Sequence, residues 1–139
     1  MIGLLWPRKG VAFSARNGNT GAVLAQRVGI AATRRARAIG LLLHKALPEG
    51  EGLWIAPSRG VHTWGMRFTI DVVALDDGGR IVDLVATMKP WRMRLPRASC
   101  VGVLELPSGT IARSGTRLGD AIVFEIVRDD PYVTDDRAA

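Results

Sequence analysis

Hydrophobic and polar positions along this chain change period several times, and each change predicts an element. Residues 68–75 are almost wholly apolar with several β-branched side chains, the pattern of a central strand buried on both faces. Asp76-Asp77-Gly78-Gly79 is a hairpin turn signal, which makes residues 80–87 the returning strand. Further strands are predicted over residues 21–31, 53–55, 101–106 and 121–127. Helical spacing occurs once: Thr33 is a cap, and Ala32, Ala36, Ile39 and Leu43 then share a face. Pro107-Ser108-Gly109 opens a turn or short helix through Arg113. The expected fold is mainly β within the α+β class. It is a compact antiparallel β-sandwich or barrel with one packed helix near residues 33–43. Residues 1–19 are expected to form an N-terminal arm, residues 20–128 a single β-rich domain, and residues 129–139 a disordered acidic tail.

Composition adds solubility and a charge. The 139 residues are 47% hydrophobic and 23% charged, as in globular proteins generally. The net charge of +6 is carried by arginine, 16 against 3 lysines. Residues 129–139 hold four acids and one base, so residues 1–128 carry 18 bases against nine acids, an excess of +9. Such a field attracts anionic partners, whether nucleic acid, phosphorylated ligands or acidic proteins. The plainer account is an arginine-rich coding bias. Cys100 is alone, which excludes an intrachain disulfide and a cysteine metal cluster. No apolar run approaches the roughly 20 residues of a membrane span. The N-terminal charges follow a short apolar stretch, the wrong order for a signal peptide. A cytoplasmic protein with no membrane partner is the expectation.

Special residues crowd into the stretch from Val61 to Asp71. Asp71 interrupts an apolar strand, where an unpaired carboxylate is costly, so a partner is expected from an arginine, a backbone group or a hydroxyl. It either pins a loop to the sheet or serves as an acid in a pocket. His62, beside Thr63 and near Arg67, is either a hydrogen-bonded structural residue or a base or anion ligand. Lys89-Pro90-Trp91-Arg92-Met93-Arg94-Leu95-Pro96-Arg97 interleaves cations with a tryptophan, as a phosphate-tracking loop does. The plainer reading is a solvated loop whose Trp91 and Met93 cap the core. Glu105 alternates with apolar neighbours in Val103-Leu104-Glu105-Leu106 and faces either solvent or the opposite wall. His44 and His62 have no metal-ligand spacing, and no metal or cofactor is expected. Phosphate loops, nucleophile elbows and zinc-helix motifs are absent from the sequence.

Four segments together resemble the family known as domain of unknown function 192. They are residues 33–42, Gly52-Leu53-Trp54-Ile55, the motif from His62 to Asp71 with its strand to Asp76, and residues 103–109 with Gly119-Asp120. They span roughly residues 22–127. The commoner family form has Trp-Met-Lys-Asn-Thr leading into Pro-Leu-Asp. Here His62-Thr63-Trp64-Gly65-Met66-Arg67-Phe68 leads into Thr69-Ile70-Asp71, which resembles a variant branch. The resemblance implies a small, mostly β fold and supplies no activity, cofactor or substrate.

Three functional classes follow. The first is a non-catalytic binding module whose pocket uses His62, Thr63, Arg67, Asp71, Trp91, Arg92 and Glu105. Its ligand would be a small anionic or polyhydroxylated molecule, or a peptide. The second is nucleic-acid association through Arg34, Arg35, Lys89, Arg92, Arg94 and Arg97. The third is an enzyme with His62 and Asp71 or Glu105 as acid and base. The sequence leans away from the enzyme and leaves the oligomeric state open.

Overall fold

Two fully buried strands form the centre of the protein. The computed structural model describes residues 4–5, 11–31, 46–95 and 98–128. The expected helix near residues 33–43 and the acidic tail lie outside these. The apolar run from residue 68 becomes β7 (Ile70–Leu75), with every residue buried. Its antiparallel neighbour β10 (Gly102–Pro107) is equally buried. On the far side of β7 runs β8 (Ile81–Met88), returning through the predicted hairpin. In that turn Asp76 Oδ1 accepts the amides of Gly78 (3.0 Å) and Arg80 (2.9 Å), and Gly79 takes a φ of 80°.

Completing the main sheet are β1 (Leu4–Leu5), β4 (Arg27–Ala31) and β5 (Glu51–Ile55), giving the order β1-β4-β5-β10-β7-β8. A second sheet has the order β11-β2-β3, from β2 (Val11–Asn17), β3 (Val23–Ala25) and β11 (Ile122–Arg128). A small ribbon pairs β6 (Val61–His62) with β9 (Met93–Arg94). One short helix, α1 (Thr110–Ser114), sits between glycines at φ 95° and 65°, where the sequence predicts a turn or short helix. The fold is mainly β within the α+β class, and among the described residues its sheets do not close into a barrel.

Several expectations change. Val11–Asn17, assigned above to an arm, is the middle strand of the second sheet. The single strand expected over residues 21–31 is two strands in different sheets. The amides of Gln26 and Arg27 both donate to Gly50 O, which carries the chain across. The pairing is also not wholly antiparallel, since β4 and β5 run parallel. A parallel pair cannot be joined by a tight hairpin, and 19 residues separate the end of β4 from the start of β5.

Side-chain alternation divides the main sheet into two faces. One face presents Val73, Leu75, Leu104 and Leu106, which pack with Ala15, Leu24, Ala25 and Ile122 of the second sheet and Ile111 of α1. The other presents Leu53, Ile55, Val72, Ala74 and Val103, which pack with Val61, Met66, Met88 and Cys100. Asn17 locks the second sheet to the loop before β11. Its Nδ2 donates to Thr116 Oγ1 (3.1 Å) and Asp120 Oδ2 (3.0 Å), and its Oδ1 accepts the amides of Asn19 and Thr20. The bond from Asn17 holds the Asp120 carboxyl below its ordinary range, helped by the Arg117 amide.

Candidate functional site

The β6–β9 ribbon is knitted by one buried hydroxyl. Thr63 Oγ1 donates to Lys89 O (2.6 Å) and accepts from the Arg92 amide (2.9 Å). The Thr63 amide donates to Arg92 O (2.8 Å), and Thr63 O accepts from the amides of Trp91 (3.0 Å) and Met66 (3.1 Å). These bonds hold Trp91 at a φ of 62°, a left-handed conformation rare for a bulky residue. Arg94 ties the ribbon to β8 through two bonds to Asp83, at 2.9 and 3.0 Å. Gly60 admits the close crossing of β9, since a Cβ there would stand 2.9 Å from Arg94 O.

Register then sorts the ribbon's side chains. Val61 pairs with Arg94 and His62 with Met93, and paired residues share a face. Val61 is buried, so its face turns to the core. His62 and Met93 turn outward, both exposed. Trp64 tilts over His62 with ring centroids 5.4 Å apart. Four large apolar side chains are exposed here: Trp64 by 50%, Trp91 by 67%, Met93 by 58% and Leu95 by 74%. Arg67, Lys89 and Arg92 are exposed on the same connections. Among the described residues none of the three has a carboxylate partner.

Asp71 is fully buried on the face that packs against the second sheet, opposite Leu106. Its Oδ1 accepts the Thr87 amide (2.8 Å) and its Oδ2 accepts the Ile111 amide (2.8 Å). Thr87 lies at a φ of 54°, where the β7–β8 register shifts. The carboxylate therefore pins both the bulge of β8 and the entry of α1 to the central strand. Its partners are backbone groups, one of the options anticipated from the sequence.

Glu105 occupies the opposite face. It pairs with Leu53 and Val72, and among these apolar neighbours its Oε2 is buried with no hydrogen-bond partner. Burial pushes its carboxyl up to about 8. Burial likewise raises the Cys100 thiol, whose Sγ lies 3.4 Å from Ser58 O and from Gly102 O.

The seven candidate residues thus divide. His62, Arg67, Trp91 and Arg92 lie exposed on or beside the ribbon, while Thr63 is the buried knot behind it. Asp71 and Glu105 sit on opposite faces of the main sheet, and among the described residues neither is hydrogen-bonded to His62. Of the cations considered for nucleic acid, Lys89 and Arg92 are exposed, Arg94 is paired with Asp83, and Arg34, Arg35 and Arg97 lie outside the described residues. Among the described residues no group of three or more His, Cys, Asp or Glu side chains is placed to hold a metal. The sequence reading missed the exposed apolar set. Its signal was present in the alternation of Trp91, Met93 and Leu95 with arginines, and these side chains turn outward instead of capping the core.

Fold and site define a small two-sheet β protein with an exposed aromatic and cationic ribbon. The chain belongs to the DUF192 family, described as Uncharacterized ACR, whose model matches residues 15–124. A UPF0127 protein from Pyrococcus horikoshii is 35% identical over 91 residues, covering 62% of this chain and 76% of the relative. A Novosphingobium aromaticivorans protein of unknown function has a similar crystal structure, with TM-score 0.69 and 24% identity over 81% of this chain and 83% of that one. A Sinorhizobium meliloti protein, named as a candidate transcription regulator, also matches at TM-score 0.69. It is 18% identical, with 85% of this chain and 95% of that one covered. At these identities the two structures establish the fold alone.

Proposed function

We propose that this protein is a non-catalytic binding module whose contact surface is the outward face of the β6–β9 ribbon. The observation that carries the reading is Trp91: 67% exposed, left-handed, and fixed by the bonds of Thr63 to its neighbours. A bulky residue held in an unfavourable backbone conformation, with its ring in water, is the arrangement of a presented contact group. The cations beside it favour an anionic partner. Co-sedimentation or filter retention with three probes tests this: polyglutamate, a single-stranded oligonucleotide, and vesicles containing phosphatidylglycerol. Binding to at least one, weakened by Trp91→Ala, is expected. Equal behaviour of wild type and variant with every probe would overturn the reading.

A second reading keeps a small-ligand pocket and centres it on Glu105, on the strength of its unpartnered Oε2. A thermal-shift screen of amines and guanidines would then stabilise wild type and leave Glu105→Gln unmoved. Equal shifts in both proteins would remove this reading.

A further inference from the structure

We infer that the ribbon's occupant is an anionic lipid surface, so that the protein docks peripherally on membranes. The inference rests on the ribbon being the contact surface. It goes further by asking which occupant accounts for every exposed side chain.

Single-stranded nucleic acid would use Trp64 and Trp91 as stacking platforms and the cations as phosphate contacts. It leaves Met93 and Leu95 without a role, although Leu95 is the most exposed of the four. A second copy of the chain would set Arg67, Lys89 and Arg92 against the same cations, a repulsive arrangement. A bilayer takes the whole set. Leu95 and Met93 enter the acyl boundary, and the tryptophans lie at the headgroup level. Lys89, Arg92 and Arg67 meet anionic headgroups.

The side-chain order fits such a contact. Trp91, Met93 and Leu95 recur at every second residue along this segment, and all three are exposed. Arg94 between them turns away and is neutralised by Asp83. His62 and Trp64 continue the apolar face on the neighbouring connection. The knot at Thr63 keeps the ribbon ordered before contact, so little ordering remains on binding. No helix among the described residues is long and apolar enough to cross a membrane, and this contact requires none.

The experiment is vesicle co-sedimentation of the full chain with phosphatidylcholine alone and with phosphatidylcholine–phosphatidylglycerol mixtures. Tryptophan quenching by lipids brominated in the acyl chain is read in parallel. Binding should require phosphatidylglycerol and weaken with salt. Arg92→Ala should weaken it about fivefold. Leu95→Ala should weaken it about tenfold, and Leu95→Glu should abolish it. Circular dichroism should be unchanged in these surface variants. Trp91→Phe should reduce the bromolipid quenching to the share of Trp64, and the double replacement with Trp64→Phe should remove it. Equal binding to phosphatidylcholine alone would overturn anionic recognition. Binding of the oligonucleotide or polyglutamate, sensitive to Trp91→Ala and without vesicle binding, would overturn the lipid inference and leave the contact surface standing. Failure with all three probes would overturn both.

Discussion

Replacing Glu105 with glutamine removes an ionisable group from the least hospitable place in the described fold. The wild-type carboxyl is held near 8 by burial, against an ordinary value of 4.5. The folded state therefore keeps a proton that the unfolded chain releases. Below the unfolded value both states are protonated and the group costs nothing through ionisation. As pH rises from 4.5 to about 8 the unfolded chain ionises first, and stability falls by about 1.4 kcal/mol per pH unit. Above that window the loss levels off at about 5 kcal/mol. Glutamine has no such dependence. Any constant packing cost of its amide shifts the variant's whole curve without changing the slope. Urea denaturation followed by tryptophan fluorescence, at pH values from about 5 to about 8, measures both proteins. The stability difference between Glu105→Gln and wild type should move in the variant's favour by about 3–4 kcal/mol across that range. Parallel curves would mean instead that the carboxyl finds a partner or water when it ionises and is not held neutral by burial.

Asp71→Ala deletes two bonds from a buried carboxylate to backbone amides and should cost about 3–5 kcal/mol in urea denaturation. A loss of less than about 1 kcal/mol would show that neither bond matters. Thr63→Val keeps the shape of the side chain and removes the hydroxyl between Lys89 O and the Arg92 amide. It should cost about 2 kcal/mol and speed tryptic cleavage after Arg92, the bond after Lys89 being protected by Pro90; an unchanged cleavage rate would contradict the knot. Gly102→Ala puts a Cβ 2.4–2.5 Å from the Trp54 ring, which packs against Phe124 at 5.2 Å. It should cost about 1–3 kcal/mol and alter near-ultraviolet circular dichroism, and an unchanged spectrum would mean that Trp54 yields freely.

Strand placement was legible wherever the apolar run or turn chemistry was local. The residue 68–75 run and the Asp76–Gly79 turn gave β7, β8 and their pairing, because one depends on burial and the other on the residues of the turn itself. Partnership between distant segments was not legible. Nothing in residues 21–31 marks Gln26 as the point where the chain leaves one sheet for another, since the cause is a distant acceptor, Gly50 O. Val11–Asn17 lacks a strong apolar run, and its order comes from β11 and the bonds of Asn17. Among the site residues, Asp71 was recognised as needing a partner but not which one, because backbone amides carry no sequence label. The opposite placement of Asp71 and Glu105 also depends on register, which is set across strands rather than along them.

That division of faces also separates roles within the signature. A ribbon that served only to cover the core would need Val61 and Met66 inside and polar residues outside, the usual alternation for a half-buried strand. Here the outward positions carry Met93, Leu95 and two tryptophans, each of which leaves half or more of its area in water and forgoes the corresponding burial. The polar residues between them are Thr63, which is buried, and Arg94, which is exposed and paired with Asp83. Thr63 spends its hydroxyl on backbone groups, and Arg94 spends its guanidinium on Asp83. Polar groups satisfied by their own fold are poor candidates for binding a partner, whereas unburied apolar groups on an ordered frame are good ones. Substitutions at Thr63 and Asp71 should therefore register chiefly in stability, and those at Trp91 and Leu95 in vesicle binding with stability unchanged. A variant set showing the reverse would assign the signature's polar residues to contact and its tryptophans to structure.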